Sequence, residues 1–333
     1  MGRKWVYIVI AAVLVVILAV GGIVFYTSTN NYAAKVNGQK ITKAEYQFFV
    51  NLAKAQFTKM GYSDMNQKAQ NKTVGELVKE GALDSAVEYK IQLIKAKESN
   101  IQLTKEEEKS FSDYFDNTVV KQYGATKLDA DKNIKAETGV TLEQFKDIYR
   151  NYQLTEKFRY TEAGKIKVSD EDIKKYFADN MRNAEKETVW HILIKTVDDA
   201  QKELPEDKVK EAEKKANEVL DKVKAGGNFA ELAQQYSEDG GSKYEGGAYI
   251  GFPKGQMVPE FEKWAFESKE GMAGIVKTTY GFHVMKKPTF DEVKDKAKNG
   301  LLNKKYADLL EKWKKDNIFK PEKNESVIKS IKI

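Results

Sequence analysis

The chain of 333 residues contains only two histidines, and each lies within a run of largely apolar residues. His191 is in the middle of Thr188–Lys195, and His283 is in the middle of Tyr280–Lys286. Both runs have the length and composition of β-strands, in which alternate side chains share one face. The spacing therefore predicts that each imidazole projects from a strand among apolar neighbours.

Residue types and spacing narrow the chemistry that these groups can perform. The chain has no cysteine, which excludes a cysteine nucleophile, thiolate metal ligands and disulfide bonds. Taken alone, two such histidines are more often satisfied core residues than catalysts. A metal site formed by both histidines and an aspartate is a further alternative, although no paired spacing such as His-x-x-x-His occurs.

The stretch between the histidines is rich in recognisable blocks. A charged helix is predicted from about Pro205 to Ala225, and a glycine-rich run extends from Gly240 to Gly251. The ordered blocks are His-Ile-Leu-Ile, Phe-Ala-Glu-Leu-Ala, Tyr-Ser-Glu-Asp, Gly-Gly-Ala-Tyr, Lys-Gly-Gln-Met-Val-Pro-Glu-Phe and Tyr-Gly-Phe-His. In this order they resemble the parvulin family of peptidyl-prolyl cis/trans isomerases, over Glu187–Pro288.

The resemblance implies catalysis without a covalent intermediate, a metal or a cofactor. Resonance stiffens the amide bond, so rotation before proline is slow, with a barrier of roughly 18–20 kcal/mol. A catalyst needs a dry pocket for the proline ring and polar groups that favour the twisted amide. The residues implied for the polar network are His191, Asp239, Thr278, Tyr280 and His283. Those implied for the proline pocket are Tyr249, Phe252, Met257 and Phe261.

Acidic residues near the first strand bear on the choice of substrate. Phosphate-directed parvulins carry basic residues in the loop after this strand. Here the loop contains Asp198 and Asp199 instead. Since carboxylates repel phosphate, we predict no specificity for a phosphorylated residue before proline.

Composition restricts the remaining partners. The net charge of +6 is spread thinly, without a concentrated basic patch, so nucleic acid is not expected as a partner. The predicted partners are unfolded or newly secreted polypeptides that contain Xaa-Pro bonds, and a homodimer is left open. No cofactor and no metal are expected.

The N-terminal region contains an uncharged apolar run, Trp5–Tyr26. Its 22 residues could cross the hydrocarbon core of a membrane as a helix. Arg3 and Lys4 precede it, which predicts a cytoplasmic stub over 1–4 and an extracytoplasmic remainder. A cleaved signal peptide is the alternative, but the run is long for one and no convincing cleavage site follows. We therefore predict an uncleaved signal-anchor in the cytoplasmic membrane.

A mainly helical domain is predicted over 33–185, after a linker at 27–32. It opens with a hairpin whose turn is Asn37–Gly38, and Thr42 with Glu45 forms a capping box that begins a helix. A long helix is predicted over Val74–Glu98. The hairpin and the Gly-Val-Thr-Leu-Glu-Gln-Phe block resemble the N-terminal chaperone module of the SurA and PrsA group.

The segment 289–333 is predicted as a helix followed by an alternating, strand-like tail, Val327–Ile333. The resemblance implies that both pack on the chaperone domain, so that the isomerase domain, 186–288, is an insertion. The expected fold class is α+β: a transmembrane helix, a mainly helical domain and a parvulin domain with a small antiparallel sheet.

These observations predict a membrane-anchored foldase that isomerises Xaa-Pro bonds in exported proteins. The alternative is a chaperone that only holds its clients and retains a parvulin fold with little isomerase activity. A purely structural anchor has no support beyond the single apolar run.

Overall fold

The computed structural model describes residues 31–69 and 71–333, in two compact units. The first unit takes in the described residues up to Lys165 and Tyr306–Ile333, and the second is Ile166–Lys305. Along this described part of the chain, no helix is both long and apolar enough to span a membrane. The span predicted at Trp5–Tyr26 lies outside the described residues.

A β-hairpin begins the first unit. Strands β1 (Tyr32–Val36) and β2 (Gln39–Thr42) pair antiparallel. At the turn, Asn37 and Gly38 have φ angles of 46° and 71°, the left-handed conformation that a tight hairpin turn requires. This confirms the predicted hairpin and the role of its Asn-Gly pair.

Helices make up most of the first unit. After α1 (Lys43–Lys59) come the short strands β3 (Lys68–Ala69) and β4 (Lys72–Thr73), followed by α2 (Val74–Glu98), α3 (Lys105–Tyr114), a π-helical turn (Phe115–Val119), α4 (Val120–Tyr123), α5 (Lys127–Thr138) and α6 (Leu142–Lys165). The bounds of α2 are those predicted, and the capping boxes at its start and at the start of α1 are both formed. Phenylalanines and tyrosines from α1, α2, the π-helical turn and α6 form the centre of the core.

Between the parts of the first unit, the chain forms α7 (Asp170–Asn180), β5 (Lys186–Lys195), α8 (Glu206–Lys224), α9 (Phe229–Tyr236), β6 (Ala248–Pro253), α10 (Pro259–Glu267), β7 (Ala273–Thr278) and β8 (Gly281–Lys286). The four strands form an antiparallel sheet in the order β6-β5-β8-β7. Helices α8 and α9 cover one face through Ile192, Ile194, Phe282 and Val284. The other face carries Val189, Met285 and both histidines, and α10 packs there. The predicted mixed fold with a small antiparallel sheet is confirmed.

The C-terminal region corrects one prediction. It forms α11 (Phe290–Lys314), β9 (Glu322–Lys323) and α12 (Glu325–Ser330), and β9 adds to the hairpin beside β1. The tail Val327–Ile333 was predicted as strand-like, but most of it is helical. Asn324 caps α12 by accepting a hydrogen bond from the Val327 N–H, so a local cap outweighs the short alternating pattern.

Candidate active site

Strand register brings the two histidines together. In the antiparallel pair β5–β8, His191 lies opposite Met285 and Leu193 lies opposite His283. The histidines are therefore diagonal neighbours on the same face of the sheet. Their Nδ1 atoms are 3.1 Å apart, and both side chains are buried, 2% and 5% exposed. The two mid-strand imidazoles thus form one contact pair.

The hydrogen-bond network around this pair has a single consistent direction. A carboxylate can only accept, so His191 Nε2 donates to Asp239 Oδ2 over 3.1 Å. With one proton on each ring, His191 accepts at Nδ1, and His283 Nδ1 donates to it. His283 Nε2 is left as an acceptor for the Thr278 hydroxyl at 2.9 Å, and the Thr278 oxygen accepts from the Tyr280 N–H. With both rings neutral, every donor in this chain meets an acceptor.

Asp239 is held by more than the imidazole. Its Oδ2 atom also accepts from the Ser242 hydroxyl at 2.5 Å and from the Tyr249 hydroxyl at 3.1 Å. The Ser242 oxygen lies 2.9 Å from His191 Nε2, so it shares that N–H with the carboxylate. Ser242 was not predicted, and its Asp-Gly-Gly-Ser spacing within the glycine-rich run was the only signal in the sequence. The carboxylate is thereby fixed from three directions.

The electrostatics of the site favour a neutral His283 ring and a charged Asp239 carboxylate. The hydrogen bond from His191 is the main cause that holds the pKa of Asp239 well below its usual range, with Ser242 and Tyr249 acting in the same direction. Burial, and then the neighbouring His191, lowers the pKa of His283 to about 3. Burial raises the pKa of Tyr249 to about 12, and the charge of Asp239 contributes to this rise. At neutral pH the half-buried Asp239 carboxylate is therefore charged, and the buried His283 ring is neutral.

Aromatic rings enclose the polar network. The Tyr249 ring stacks on His191 with centroids 4.9 Å apart, and Phe261 meets the edges of both imidazoles. Above them is a cavity of about 380 Å³. Its wall includes His191, Leu193, Asp239, Tyr249, Met257, Val258, Phe261, Tyr280 and His283.

Most, but not all, of the predicted site residues line this cavity. Thr278 lies behind His283 as its hydrogen-bond donor, and Tyr280 is 41% exposed. Phe252 is not part of the wall; it is buried, and its ring packs against Phe261 and Phe266. Phe252 thus supports the pocket from behind, because its strand side chain enters the core under α10.

The geometry bears on the metal alternative. Both Nδ1 atoms are engaged with each other, and His191 Nε2 is engaged with Asp239 and Ser242. Across residues 31–69 and 71–333, no group of three or more histidine or carboxylate side chains is placed to hold a metal ion. The arrangement is suited to polarising or orienting a bound peptide by hydrogen bonds and charge.

Comparison with known proteins gives two family matches that together cover much of the chain. Residues 171–289 match the PPIC-type PPIASE domain, and residues 2–127 match the SurA-like N-terminal domain. The first match contains the cavity and its polar network. The second covers most of the helical first unit, including the hairpin.

Individual relatives align with most of the chain. The foldase protein PrsA of Caldanaerobacter subterraneus is 34% identical over 318 residues, which is 92% of this chain and 90% of the relative. The foldase protein PrsA 3 of Bacillus cereus is 32% identical over 70% of this chain and 82% of the relative. The crystal structure of PrsA from Bacillus subtilis is 26% identical, covers 80% of this chain and 92% of that chain, and gives a TM-score of 0.38.

Proposed function

The chain belongs to the family of PrsA foldases, and we propose that the cavity beside His191 and His283 is where it isomerises Xaa-Pro bonds. As a member of this family with a PPIC-type domain, the chain is a parvulin-type peptidyl-prolyl cis/trans isomerase and a foldase. The assignment of the site rests on one observation. A continuous chain of hydrogen bonds runs from Thr278 through His283 and His191 to Asp239, at the base of an aromatic cavity.

The apolar part of the cavity fits a proline ring. Met257, Phe261 and the Tyr249 ring provide an apolar surface, in which Phe261 is buried and the other two are half-buried. Burying the ring there holds the substrate beside the polar network, so binding energy can be used to favour the twisted amide. The paired imidazoles form a buried floor beneath this surface.

Asp239 provides the electrostatic part of catalysis. A planar amide places negative charge on its oxygen through resonance, and the twisted amide loses much of that charge. A fixed carboxylate near the substrate carbonyl destabilises the conjugated form more than the twisted form. The network of His191, Ser242 and Tyr249 keeps this charge in place and ionised. No covalent intermediate is required.

An isomerisation assay tests this assignment directly. A chain beginning at Asn31 is assayed with peptides that carry Lys, Ala or phosphoserine before proline. We expect turnover of the Lys-Pro and Ala-Pro peptides and none of the phosphoserine peptide, because Asp198 and Asp199, in the loop after β5, repel a phosphate. His191→Ala, Met257→Ala and Asp239→Asn should each reduce kcat/KM by roughly tenfold or more.

The same variants separate catalysis from client holding. The alternative, a chaperone that only holds its clients, gains no specific support from the cavity. If the folded Asp239→Asn chain accelerates refolding of a proline-limited client as well as the unchanged chain does, catalysis at this site is dispensable. A well-folded chain without any isomerase activity would reject the proposed site.

We further propose that the foldase works outside the cytoplasmic membrane, anchored through Trp5–Tyr26. The length of this apolar run and the basic residues before it support the proposal. Fusing residues 1–30 to a periplasmic-type reporter enzyme and separating membrane from soluble fractions tests it. A reporter released in soluble form would indicate cleavage instead. Homodimerisation remains a prediction, which light scattering of the chain from Asn31 tests.

A further inference from the structure

One residue of the isomerase cavity has an unusual backbone conformation. Gln201 lines the cavity together with Lys195 and Glu238, and its φ of 62° lies in the left-handed region. Side chains are rare there, because the Cβ atom crowds a carbonyl oxygen. Asparagine tolerates this conformation best, and the other two non-glycine residues with positive φ in the described part of the chain are Asn37 and Asn100. A glutamine in this conformation therefore requires a reason.

The turn that follows β5 holds Gln201 in place. The Gln201 N–H donates to the Asp198 carbonyl oxygen at 3.0 Å, and the Asp198 N–H donates to the Lys202 carbonyl oxygen at 2.9 Å. The Asp198 carboxylate also accepts hydrogen bonds from the N–H groups of Ala200 and Lys202, each at 2.9 Å. Four hydrogen bonds within residues 198–202 thus fix the backbone at position 201.

Glycine is the residue that such a turn favours at position 201. In short hairpin loops the last loop residue is often left-handed, and glycine adopts that conformation without strain. A turn that served only to connect β5 to α8 would be more stable with glycine there. Strained backbone of this kind is concentrated at binding and catalytic sites. The side chain of Gln201 is thus the feature that the turn presents at a cost to itself.

The side-chain amide of Gln201 is available to a ligand. The side chain is exposed and lines the cavity, and its amide forms no hydrogen bond with residues 31–69 or 71–333. A glutamine amide carries both hydrogen-bond donors and an acceptor. A peptide group carries the same combination, so this side chain can bind a main chain of any sequence.

The position of Gln201 along the cavity shows which part of a substrate it can reach. His191, Leu193 and Lys195 alternate along β5 on the cavity side. At about 3.3 Å per residue, His191 and Lys195 lie roughly 13 Å apart along the strand. The turn that holds Gln201 begins three residues after Lys195, whereas Phe261 contacts His191. A proline bound against Phe261 therefore places a flanking residue, not the proline ring, near Gln201.

The charges at this end of the cavity lining cancel. Apart from Asp239 at the base, the lining contains one acid, Glu238, and one base, Lys195. Glu238 Oε2 accepts a hydrogen bond from the Lys195 N–H at 2.7 Å, which holds the carboxylate at the end of β5. A neutral amide between opposite charges is suited to recognising a main chain rather than a charged side chain.

We propose that the Gln201 amide binds the main chain of the polypeptide beside the proline and so orients the substrate in the isomerase cavity, whatever its flanking side chains. The inference rests on the proposed function of the cavity and adds a substrate-binding residue to it. The fixed turn supports this role, because a backbone that is already in place loses little conformational freedom on binding.

Fluorescence anisotropy with the chain from Asn31 tests the proposal. The probe is a labelled hexapeptide with Ala-Pro at its centre, and matched probes carry Lys-Pro or Glu-Pro. Gln201→Gly keeps the left-handed backbone and removes the amide, whereas Gln201→Met keeps the side-chain length and removes its hydrogen bonds. We expect both variants to raise the Kd about fivefold, by the same factor for all three probes. In the isomerisation assay, KM should rise with kcat nearly unchanged.

Two controls separate substrate binding from a structural role. Lys202→Ala changes an exposed side chain of the same turn that does not line the cavity, so its Kd should equal that of the unchanged chain. In urea unfolding, Gln201→Gly should leave the midpoint unchanged or raise it, because glycine adopts the left-handed conformation without strain. A side chain that only supported the fold would lower the midpoint.

Three results would overturn the proposal. They are unchanged affinity in the folded Gln201→Gly chain, full affinity in the Gln201→Met chain, and a rise in Kd confined to one of the three probes, which would indicate contact with a side chain. Anisotropy requires no turnover, so a failure of the isomerase assignment is distinguishable: the unchanged chain would then bind the probes without isomerising them.

Discussion

At the scale of single residues, His283 is the group whose protonation differs most from that of a free side chain. Burial and His191 lower its pKa to about 3, so its ring should stay neutral down to pH 4. Because the chain has only two histidines, their proton NMR signals can be followed individually. We expect the His283 signal to be constant between pH 8 and pH 4. A midpoint near 6.5 would contradict a buried, neutral His283 ring.

The same shift predicts how stability depends on pH. The folded pKa of His283 is below the unfolded value of about 6.5, so the unfolded chain binds the extra proton. The stability contributed by neutral His283 is complete above pH 6.5 and is lost as the pH falls towards 3. Over that window the loss approaches about 1.4 kcal/mol per pH unit. In urea unfolding, His283→Gln should show a shallower fall from pH 6.5 to 4.5 than the unchanged chain.

Ser242 is predicted to act as a positioning residue for Asp239. Ser242→Ala removes one hydrogen bond that lowers the pKa of Asp239, so that pKa should rise. We expect a fall in kcat/KM of about three- to tenfold, with the acid limb of the pH profile moved to higher pH. Loss of activity without movement of the acid limb would indicate a purely structural role. Ser242→Thr, which retains the hydroxyl, should restore much of the activity.

The sequence specified much of this site, but not its hydrogen bonds. Strand alternation placed His191 and His283 on apolar faces, and the family resemblance assigned Met257 and Phe261 to one wall. Neither signal shows which residues of β5 and β8 lie opposite each other. This register makes the two histidines diagonal neighbours. Ser242 was missed because its role depends on how the glycine-rich run folds back onto Asp239. The sequence could not show whether Phe252 lines the pocket or supports it from behind, because apolar residues occupy both kinds of position.

At the scale of elements, Gly281 controls the close contact between β5 and β8. Its φ is 141°, and a Cβ added there would lie 2.2 Å from the Ile194 carbonyl oxygen. Gly281→Ala should therefore destabilise the second unit by roughly 3 kcal/mol or more. Gly255 is the matched control, since its φ of 81° is also positive but no atom lies within 4 Å of the added Cβ. Gly255→Ala should cost only about 1 kcal/mol in urea unfolding. Equal losses for both variants would show that backbone conformation, not the close approach, sets the cost.

Local sequence signals determined element boundaries where they acted alone. The Asn37–Gly38 turn and the capping box at Thr42 are short-range signals, and both are formed in the structure. The π-helical turn has no such signal, because it arises from packing Phe115 into the aromatic core. The tail was mispredicted because a seven-residue run offers too few positions to separate a period of two from a helical turn.

At the scale of the whole molecule, the first unit is discontinuous in sequence. Strand β9 pairs with β1, the Asn324 N–H donates to the Ala33 carbonyl oxygen at 2.8 Å, and Ile331 is 3% exposed within the core of the first unit. The last segment of the chain thus completes a sheet and a core that begin some 290 residues earlier. Forming such long-range pairing costs loop-closure entropy, because the ends of a long intervening chain must be brought together.

This connectivity predicts selective damage from a C-terminal truncation. Ending the chain at Lys320 removes β9, α12 and the buried Ile331, and should destabilise the first unit by about 3–5 kcal/mol. The second unit contains none of these residues, so isomerisation of an Ala-Pro peptide should persist. In the chain from Asn31, which lacks Trp5, urea unfolding followed by fluorescence of Trp313, with Trp190 and Trp264 replaced by Phe, reports the first unit alone. Ile331→Ala keeps β9 and its pairing with β1. It should lower the free energy of unfolding of the first unit by about 2–4 kcal/mol. An unchanged first-unit transition in the truncated chain would show that the tail only covers a core that is already complete, whereas loss of Ala-Pro turnover would show that the second unit depends on it.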